Sequence, residues 1–95
     1  MNGPEICRAG REVLEAAGWF VVIFNHNKAM PTGLRGCPDL MAWKDDCTLL
    51  VEAKGHGDKM RETQTLFARR IGEHTGPHLI YFVARNRADF ERLVT

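Results

Sequence analysis

Three charged side chains lie at the ends of two apolar segments, where charges are unusual. Asp39 precedes the first segment, and Glu52 and Lys54 end the second. Charged side chains rarely enter a core unless they are paired or bind a metal. If a turn at residues 45–46 joins the two segments into a hairpin, Asp39 comes to lie opposite Glu52. The pattern therefore predicts two carboxylates that converge beside an ammonium group.

This set of side chains has the chemistry of a metal-assisted hydrolytic site. Asp39 and Glu52 supply the oxygen ligands that Mg²⁺ or Mn²⁺ prefers. Lys54 can hold a phosphate oxygen or orient an attacking water. Gln64 lies inside the apolar stripe of a predicted helix, where a polar group needs a partner, and the charged strand end offers one. Together these residues fit hydrolysis of a phosphodiester.

The elements that position these side chains follow from the hydrophobic pattern. The sequence predicts helices at 5–17, 60–74 and 86–94, strands at 19–24, 40–43, 48–54 and 78–83, and a long loop at 25–37. The strand at 19–24 is continuously apolar, which favours burial on both faces. Because a helix connects the last two strands, they are expected to be parallel. The order predicts an α/β fold with a mixed central sheet flanked by helices.

Length and composition predict one globular domain over 1–95. The chain is 44% hydrophobic and 26% charged, with a formal net charge of +1. No stretch reaches the roughly 20 apolar residues that a membrane span needs, and the N-terminal residues lack a signal-peptide core, so a cytoplasmic location is expected. The three cysteines lack paired metal-ligand spacing and are expected to be free thiols.

The motifs, taken together, resemble those of a known group of nucleases. The sequence is similar to the PD-(D/E)xK nuclease superfamily and, within it, to the virus-type replication-repair nuclease (VRR-NUC) family in its stand-alone, phage-like form. The residues that carry the resemblance are Gly36-Cys37-Pro38-Asp39-Leu40, Glu52-Ala53-Lys54 and Gln64. The resemblance implies a restriction-endonuclease-like αβββαβ core over nearly the whole chain.

The resemblance also implies roles for individual residues. Asp39, Glu52 and the Ala53 carbonyl would bind Mg²⁺ or Mn²⁺. Lys54 would be the catalytic lysine, with Gln64 supporting it or contacting phosphate. The family carries a further metal-binding glutamate in its first helix. Glu5 matches that position best by its distance from Gly18, Glu12 is the alternative, and Arg8 stands near the place of a family glutamine.

The function implied is a metal-dependent endonuclease that acts on DNA, with branched or Holliday-junction DNA as the expected substrate. The alternative is a non-catalytic DNA-binding module on the same fold. The expected DNA contacts are Lys28, Arg35, Lys59 and Arg61. A homodimer is expected, because two active sites would match the two-fold character of a junction. Its interface is expected near the sheet edge or the last helix, where Phe90, Leu93 and Val94 lie.

Overall fold

A computed structural model of the protein describes residues 1–24 and 36–95. The elements along the chain are α1 (Gly3–Ala16), β1 (Phe20–Ile23), β2 (Leu40–Lys44), β3 (Cys47–Ala53), α2 (Glu62–Gly72), β4 (Leu79–Ala84) and α3 (Arg87–Val94). The strands form one sheet in the order β1-β2-β3-β4, antiparallel except for the parallel pair β3 and β4. The predicted element order and mixed sheet are confirmed. Most of the predicted loop at 25–37 lies outside the described residues.

The helices cover both faces of the sheet. On β3, Leu49, Val51 and Ala53 point into the main core, which α1 and α3 complete. Because side chains alternate along a strand, Glu52 points to the opposite face. There α2 contacts β4, and the rings of Phe67 and Tyr81 lie 6.5 Å apart. Glu52 is therefore placed between the sheet and α2, away from the main core.

The first strand differs from its prediction. β1 lies at the edge of the described sheet and pairs only with β2 there. Val21 is buried in the core, but Phe20 is 67% exposed and stacks on Trp43 with 5.6 Å between ring centroids. The prediction of burial on both faces was wrong, because an apolar run alone does not distinguish a central strand from an edge strand that buries one face.

The first helix begins two residues earlier than predicted because of its cap. The Asn2 side chain accepts a hydrogen bond from the Glu5 backbone N–H at 2.9 Å, and the Glu5 carboxylate accepts one from the Asn2 N–H at 3.0 Å. This reciprocal pair is a capping box, with Pro4 in the first turn. The cap also commits the Glu5 carboxylate to the helix end.

The last helix contributes two of its three large apolar residues to the core. Phe90 has no exposed surface and packs edge-on against Phe82, with 5.6 Å between ring centroids. Gly10 of α1 faces this ring so closely that a Cβ there would lie 2.4 Å from it. Leu93 also packs against the core, and Val94 is 36% exposed. Phe90 and Leu93 therefore pack in the core, whereas Val94 is the large apolar residue of this helix that stays partly exposed. Within residues 1–24 and 36–95, no helix is both long and apolar enough to span a bilayer.

Candidate functional site

The hairpin of β2 and β3 brings the first carboxylate to the end of β3. In its register Leu40 pairs with Val51, so Asp39 lies beside the last residues of β3. Asp39 Oδ2 accepts a hydrogen bond from the Ala53 backbone N–H at 2.8 Å. The Asp39 carboxylate therefore lies next to the peptide unit that joins Glu52 to Ala53, as the predicted turn requires.

A buried network joins the other three predicted side chains. Gln64 Nε2 donates to Glu52 Oε1 at 2.7 Å, and Gln64 Oε1 accepts from Lys54 Nζ at 2.6 Å. Lys54 Nζ also lies 3.5 Å from Glu52 Oε1. Glu52, Lys54 and Gln64 are 1%, 5% and 8% exposed. The amide of Gln64 thus holds the lysine and the carboxylate in fixed positions, because it donates to one and accepts from the other.

One oxygen of this network has no hydrogen-bond donor within the described residues. Glu52 Oε2 is buried and unpartnered. Burial, the nearby charge of Asp39 and the close approach of the Asp39 side chain raise the pKa of Glu52 to about 7, against the lowering effect of Lys54. When both carboxyls are ionised, Oε2 faces neighbouring negative charge without a donor. A buried orphan oxygen of this kind is costly unless a proton or a cation occupies the space beside it.

The site opens into a cavity with a volume of about 540 Å³. Its walls come from the first turns of α1, the end of β1, the end of β3 and the start of α2. The lining residues are Gly3, Pro4, Cys7, Arg8, Ile23, Phe24, Asp39, Glu52, Ala53, Lys54, Asp58, Arg61 and Gln64. All four predicted catalytic residues line this one cavity, so the structure brings Asp39, Glu52, Lys54 and Gln64 together.

The predicted ligand from the first helix is not brought to the cavity. Glu5 is engaged in the capping box, and Glu12 accepts a hydrogen bond from Arg87 of α3 at 2.8 Å. At about 100° per residue, Glu5 and Glu12 lie about 200° and 140° around the helix from Cys7, which does line the cavity. Neither glutamate shares the cavity face, and Cys7 and Arg8 take that place.

The thiols near the carboxylates are protonated at neutral pH. Burial, then the charges of Asp39 and Glu52, raise the pKa of Cys7 to about 12. The same causes raise the pKa of Cys37. All three cysteines are free. Within the described residues, no three His, Cys, Asp or Glu side chains converge closely enough to hold a metal as a ready-made group.

The segments that flank the site are held by close backbone contacts. Gly36 has a φ of +78°, and a Cβ there would lie 2.2 Å from the carbonyl oxygen of Thr63 in the first turn of α2. Residues 55–58 form a turn in which the Gly55 N–H donates to Asp58 Oδ2 at 2.9 Å. The segment that leads into β2 therefore packs closely against α2, and the turn after Lys54 is closed by its own hydrogen bond.

The predicted DNA-contacting residues fall into three groups. Arg61 lines the cavity, whereas Lys59 is exposed outside it. Lys28 and Arg35 lie outside the described residues. Sequence reasoning missed the cavity positions of Cys7, Arg8 and Asp58. The spacing of Gly3 and Cys7, one helical turn apart, could have indicated which face of α1 approaches the sheet.

The residues present fit a divalent cation in part. The carboxylates of Asp39, just before β2, and of Glu52 in β3 adjoin, and one buried oxygen has no donor among the described residues. The Ala53 carbonyl belongs to the same strand end. Oxygen donors of this kind suit Mg²⁺ or Mn²⁺. Asp39 and Glu52 would hold the ion, with water or substrate oxygens supplying its other ligands.

Comparisons with known proteins give a weak structural likeness. No family model and no curated protein matches the chain. Among solved structures, the chain is similar to a Holliday junction resolvase from the archaeal hyperthermophile Archaeoglobus fulgidus, with 21% identity and a TM-score of 0.44. The match covers 83% of this chain and 68% of that chain. A likeness at this level carries no argument about function, which has to be inferred from the geometry of the site.

Proposed function

We propose that this protein is a divalent-metal-dependent nuclease that hydrolyses phosphodiester bonds in DNA. The observation that carries the proposal is the buried Oε2 of Glu52, which has no donor among the described residues, near the Asp39 carboxylate in a cavity that Lys54 also lines. A structural role would not require two adjacent carboxylates in a site of low exposure. A cation offsets their repulsion, and a lysine beside them suits an anionic substrate.

Asp39 and Glu52 would hold Mg²⁺ or Mn²⁺, and the Ala53 carbonyl is the further candidate ligand. When bound, such a cation stabilises the negative charge that builds on the phosphate oxygens during hydrolysis. The protein's own contribution is to fix the two carboxylates on adjacent strands. The hydrogen bond from the Ala53 N–H to Asp39 and the one from Gln64 to Glu52 do this.

Lys54 is the group that faces the reacting phosphate in this proposal. Its ammonium has three N–H donors. Lys54 Nζ lies 2.6 Å from Gln64 Oε1 and 3.5 Å from Glu52 Oε1, which accounts for two of them. The third donor can bind a phosphate oxygen or orient the attacking water. In the reaction, a water oxygen forms a new bond to phosphorus while the bond to one sugar oxygen breaks. Gln64 positions Lys54 and does not itself need to contact the substrate.

Arg8 and Arg61 supply positive charge where the cavity opens. Both are exposed side chains that line it, from α1 and from the residue before α2. A guanidinium binds phosphate oxygens in a bidentate geometry, so these two arginines suit the DNA backbone on either side of the reacting phosphate. Such contacts fix position but read no bases.

The branched character of the substrate is the finer part of the proposal. The motif resemblance to VRR-NUC nucleases supports it, as does a site whose cationic side chains suit backbone contacts. A protein of this kind selects DNA by its shape. The proposed homodimer would present two such sites to two strands. The exposed Phe20 and its stacking partner Trp43 mark the sheet edge as the candidate interface.

The test is cleavage of labelled junction, flap, duplex and single-stranded DNAs with and without Mn²⁺, with Asp39→Asn as the inactive control. We expect metal-dependent cutting of the branched DNAs by the wild-type protein only. A gel shift in Ca²⁺ separates the alternative, because a non-catalytic DNA-binding module would bind the same DNAs and cut none of them in Mn²⁺.

A further inference from the structure

We propose that Cys7 sets the cation affinity of this site, because α1 presents a neutral thiol at the position where a carboxylate would complete the metal-binding group. The inference rests on the proposed metal site. It concerns a residue that the motifs do not single out, and it makes a prediction about gain of binding.

The position of Cys7 is defined by the packing of α1 across the end of β3. Gly3, one turn earlier on the same helix face, approaches the Ala53 carbonyl so that a Cβ there would lie 3.7 Å from it. Cys7 follows on this face, is 6% exposed, and lines the cavity that Asp39 and Glu52 line. Its side chain is therefore held at the site by a regular helix and cannot turn away to solvent.

A second, independent feature points to a cation beside it. Glu52, which lines the same cavity, has a buried Oε2 without a donor among the described residues. The thiol of Cys7 does not complete a metal-binding group there, because no three His, Cys, Asp or Glu side chains within residues 1–24 and 36–95 converge closely enough. The cavity holds the two carboxylates of Asp39 and Glu52, and the side chain that α1 adds is the thiol of Cys7. A thiol is uncharged at pH 7 even at its ordinary pKa. The affinity of a cation such as Mg²⁺ or Mn²⁺ depends on the charge and number of its oxygen ligands, so the thiol adds little to it.

A carboxylate at position 7 would extend from the same helix face toward the two existing carboxylates. It would add one negative charge and up to two oxygen ligands, and metal affinity in carboxylate sites rises with the charge of the ligands. Position 7 would then act as the residue that decides between weak and tight cation binding. The wild-type thiol leaves the ion dependent on ligands from water or the DNA phosphate.

The experiment is calorimetric titration of Mn²⁺ into the wild-type protein, Cys7→Asp and Cys7→Asn. Asp and Asn have nearly the same size, so their comparison isolates the added charge. We expect Cys7→Asp to bind Mn²⁺ at least about tenfold more tightly than Cys7→Asn, since an added carboxylate ligand strengthens such sites. We expect Cys7→Asn to bind like the wild type. Equal affinities for Asp and Asn would overturn the inference.

Thermal unfolding with and without Mn²⁺ provides a second readout. Three carboxylates without a cation repel one another, so Cys7→Asp should unfold at a lower temperature than Cys7→Asn in chelator. Saturating Mn²⁺ should raise the melting temperature of Cys7→Asp more than that of Cys7→Asn. A Cys7→Asp protein that stays unfolded in Mn²⁺, or gains no more than Cys7→Asn, contradicts the proposal.

The outcomes also separate this inference from the proposed function. If the wild-type protein binds Mn²⁺ and Glu52→Gln does not, the metal site stands whatever Cys7→Asp does. If Cys7→Asp alone fails to bind more tightly, only the role of position 7 is wrong. If no variant binds Mn²⁺, with or without DNA, the proposed metal site fails, and the role of Cys7 fails with it.

Discussion

Glu52 occupies an environment that opposes its ionisation. It is 1% exposed, its Oε2 has no donor within the described residues, and its pKa is raised to about 7 by burial and by Asp39. Strained electrostatics of this kind are tolerated where function needs them, at a cost in stability. The cost has a definite pH dependence.

The folded protein should lose stability from this group as the pH rises. The ordinary pKa of 4.5 applies in the unfolded chain, and the folded value is about 7. Below about pH 4.5 the carboxyl is protonated in both states. Between about pH 4.5 and about pH 7 the Glu52 carboxyl keeps its proton only in the folded state. The stabilisation from this protonated carboxyl therefore declines as the pH rises and is lost above about pH 7. The total change is on the order of a few kcal/mol.

The variant Glu52→Gln isolates this effect. In chelator, its melting temperature relative to the wild type should rise between pH 5 and pH 8, because glutamine carries no charge to bury. Added Mn²⁺ should stabilise the wild type and leave the variant unchanged. A relative melting temperature that does not change with pH would mean that Glu52 is solvated normally.

For Lys54, we expect Lys54→Ala to lose turnover more than DNA affinity. The ammonium lies within the Gln64 and Glu52 network. In the proposed site its charge would act on the reacting phosphate, whereas Arg8 and Arg61 would contribute more to binding. Single-turnover cleavage in Mn²⁺ measures turnover, and a gel shift in Ca²⁺ measures DNA affinity. Arg61→Ala is the comparison, with the opposite pattern expected. Collapse of binding with an unchanged saturating rate would make Lys54 a phosphate anchor only.

At the scale of elements, the β2–β3 hairpin and the parallel pair of β3 and β4 could be predicted because the sequence patterns that specify them are local. A turn at Asp45 and Asp46 fixes which residues of β2 and β3 face each other, and this predicts the approach of Asp39 to Ala53. The local sequence does not determine which face of α1 turns toward the cavity. That face depends on how the helix rotates against the sheet, and the Asn2 cap and the core contacts settle that rotation. The resemblance therefore matched the helix glutamate to Glu5, with Glu12 as the alternative, although the Glu5 carboxylate caps the helix.

The close approach of Gly36, in the segment before β2, to α2 predicts how much stability a substitution there would cost. Gly36→Ala would place a Cβ against the Thr63 backbone and force a non-glycine residue into a positive φ, which should cost roughly 2–5 kcal/mol. Gly57→Ala is the matched control, since it also has a positive φ but no atom within 4 Å of the added Cβ. Urea denaturation measures both. Equal losses would mean that residue 36 does not pack against α2.

At the scale of the whole molecule, the exposed apolar residues make a prediction about assembly. Phe20 at the sheet edge is 67% exposed, whereas Val94 on α3 is 36% exposed. If two copies pair through the sheet edge, Phe20→Lys should give a monomer by light scattering and Val94→Lys should not. A dimer lost only in Val94→Lys would place the interface on the last helix. A monomeric wild type at micromolar concentration would contradict the homodimer.

Metal-dependent cleavage by the proposed carboxylate site is best tested by the single-turnover cleavage rate of a labelled four-way junction as a function of Mn²⁺ concentration, for the wild type and Glu52→Gln. Both proteins should bind the junction comparably in Ca²⁺ through Arg8 and Arg61. We expect the wild-type cleavage rate to rise with Mn²⁺ concentration and then saturate. At every Mn²⁺ concentration, the Glu52→Gln rate should be at least about a hundredfold lower. Cleavage by Glu52→Gln at the wild-type rate, or cleavage by the wild type that does not respond to Mn²⁺, would contradict the proposed nuclease site.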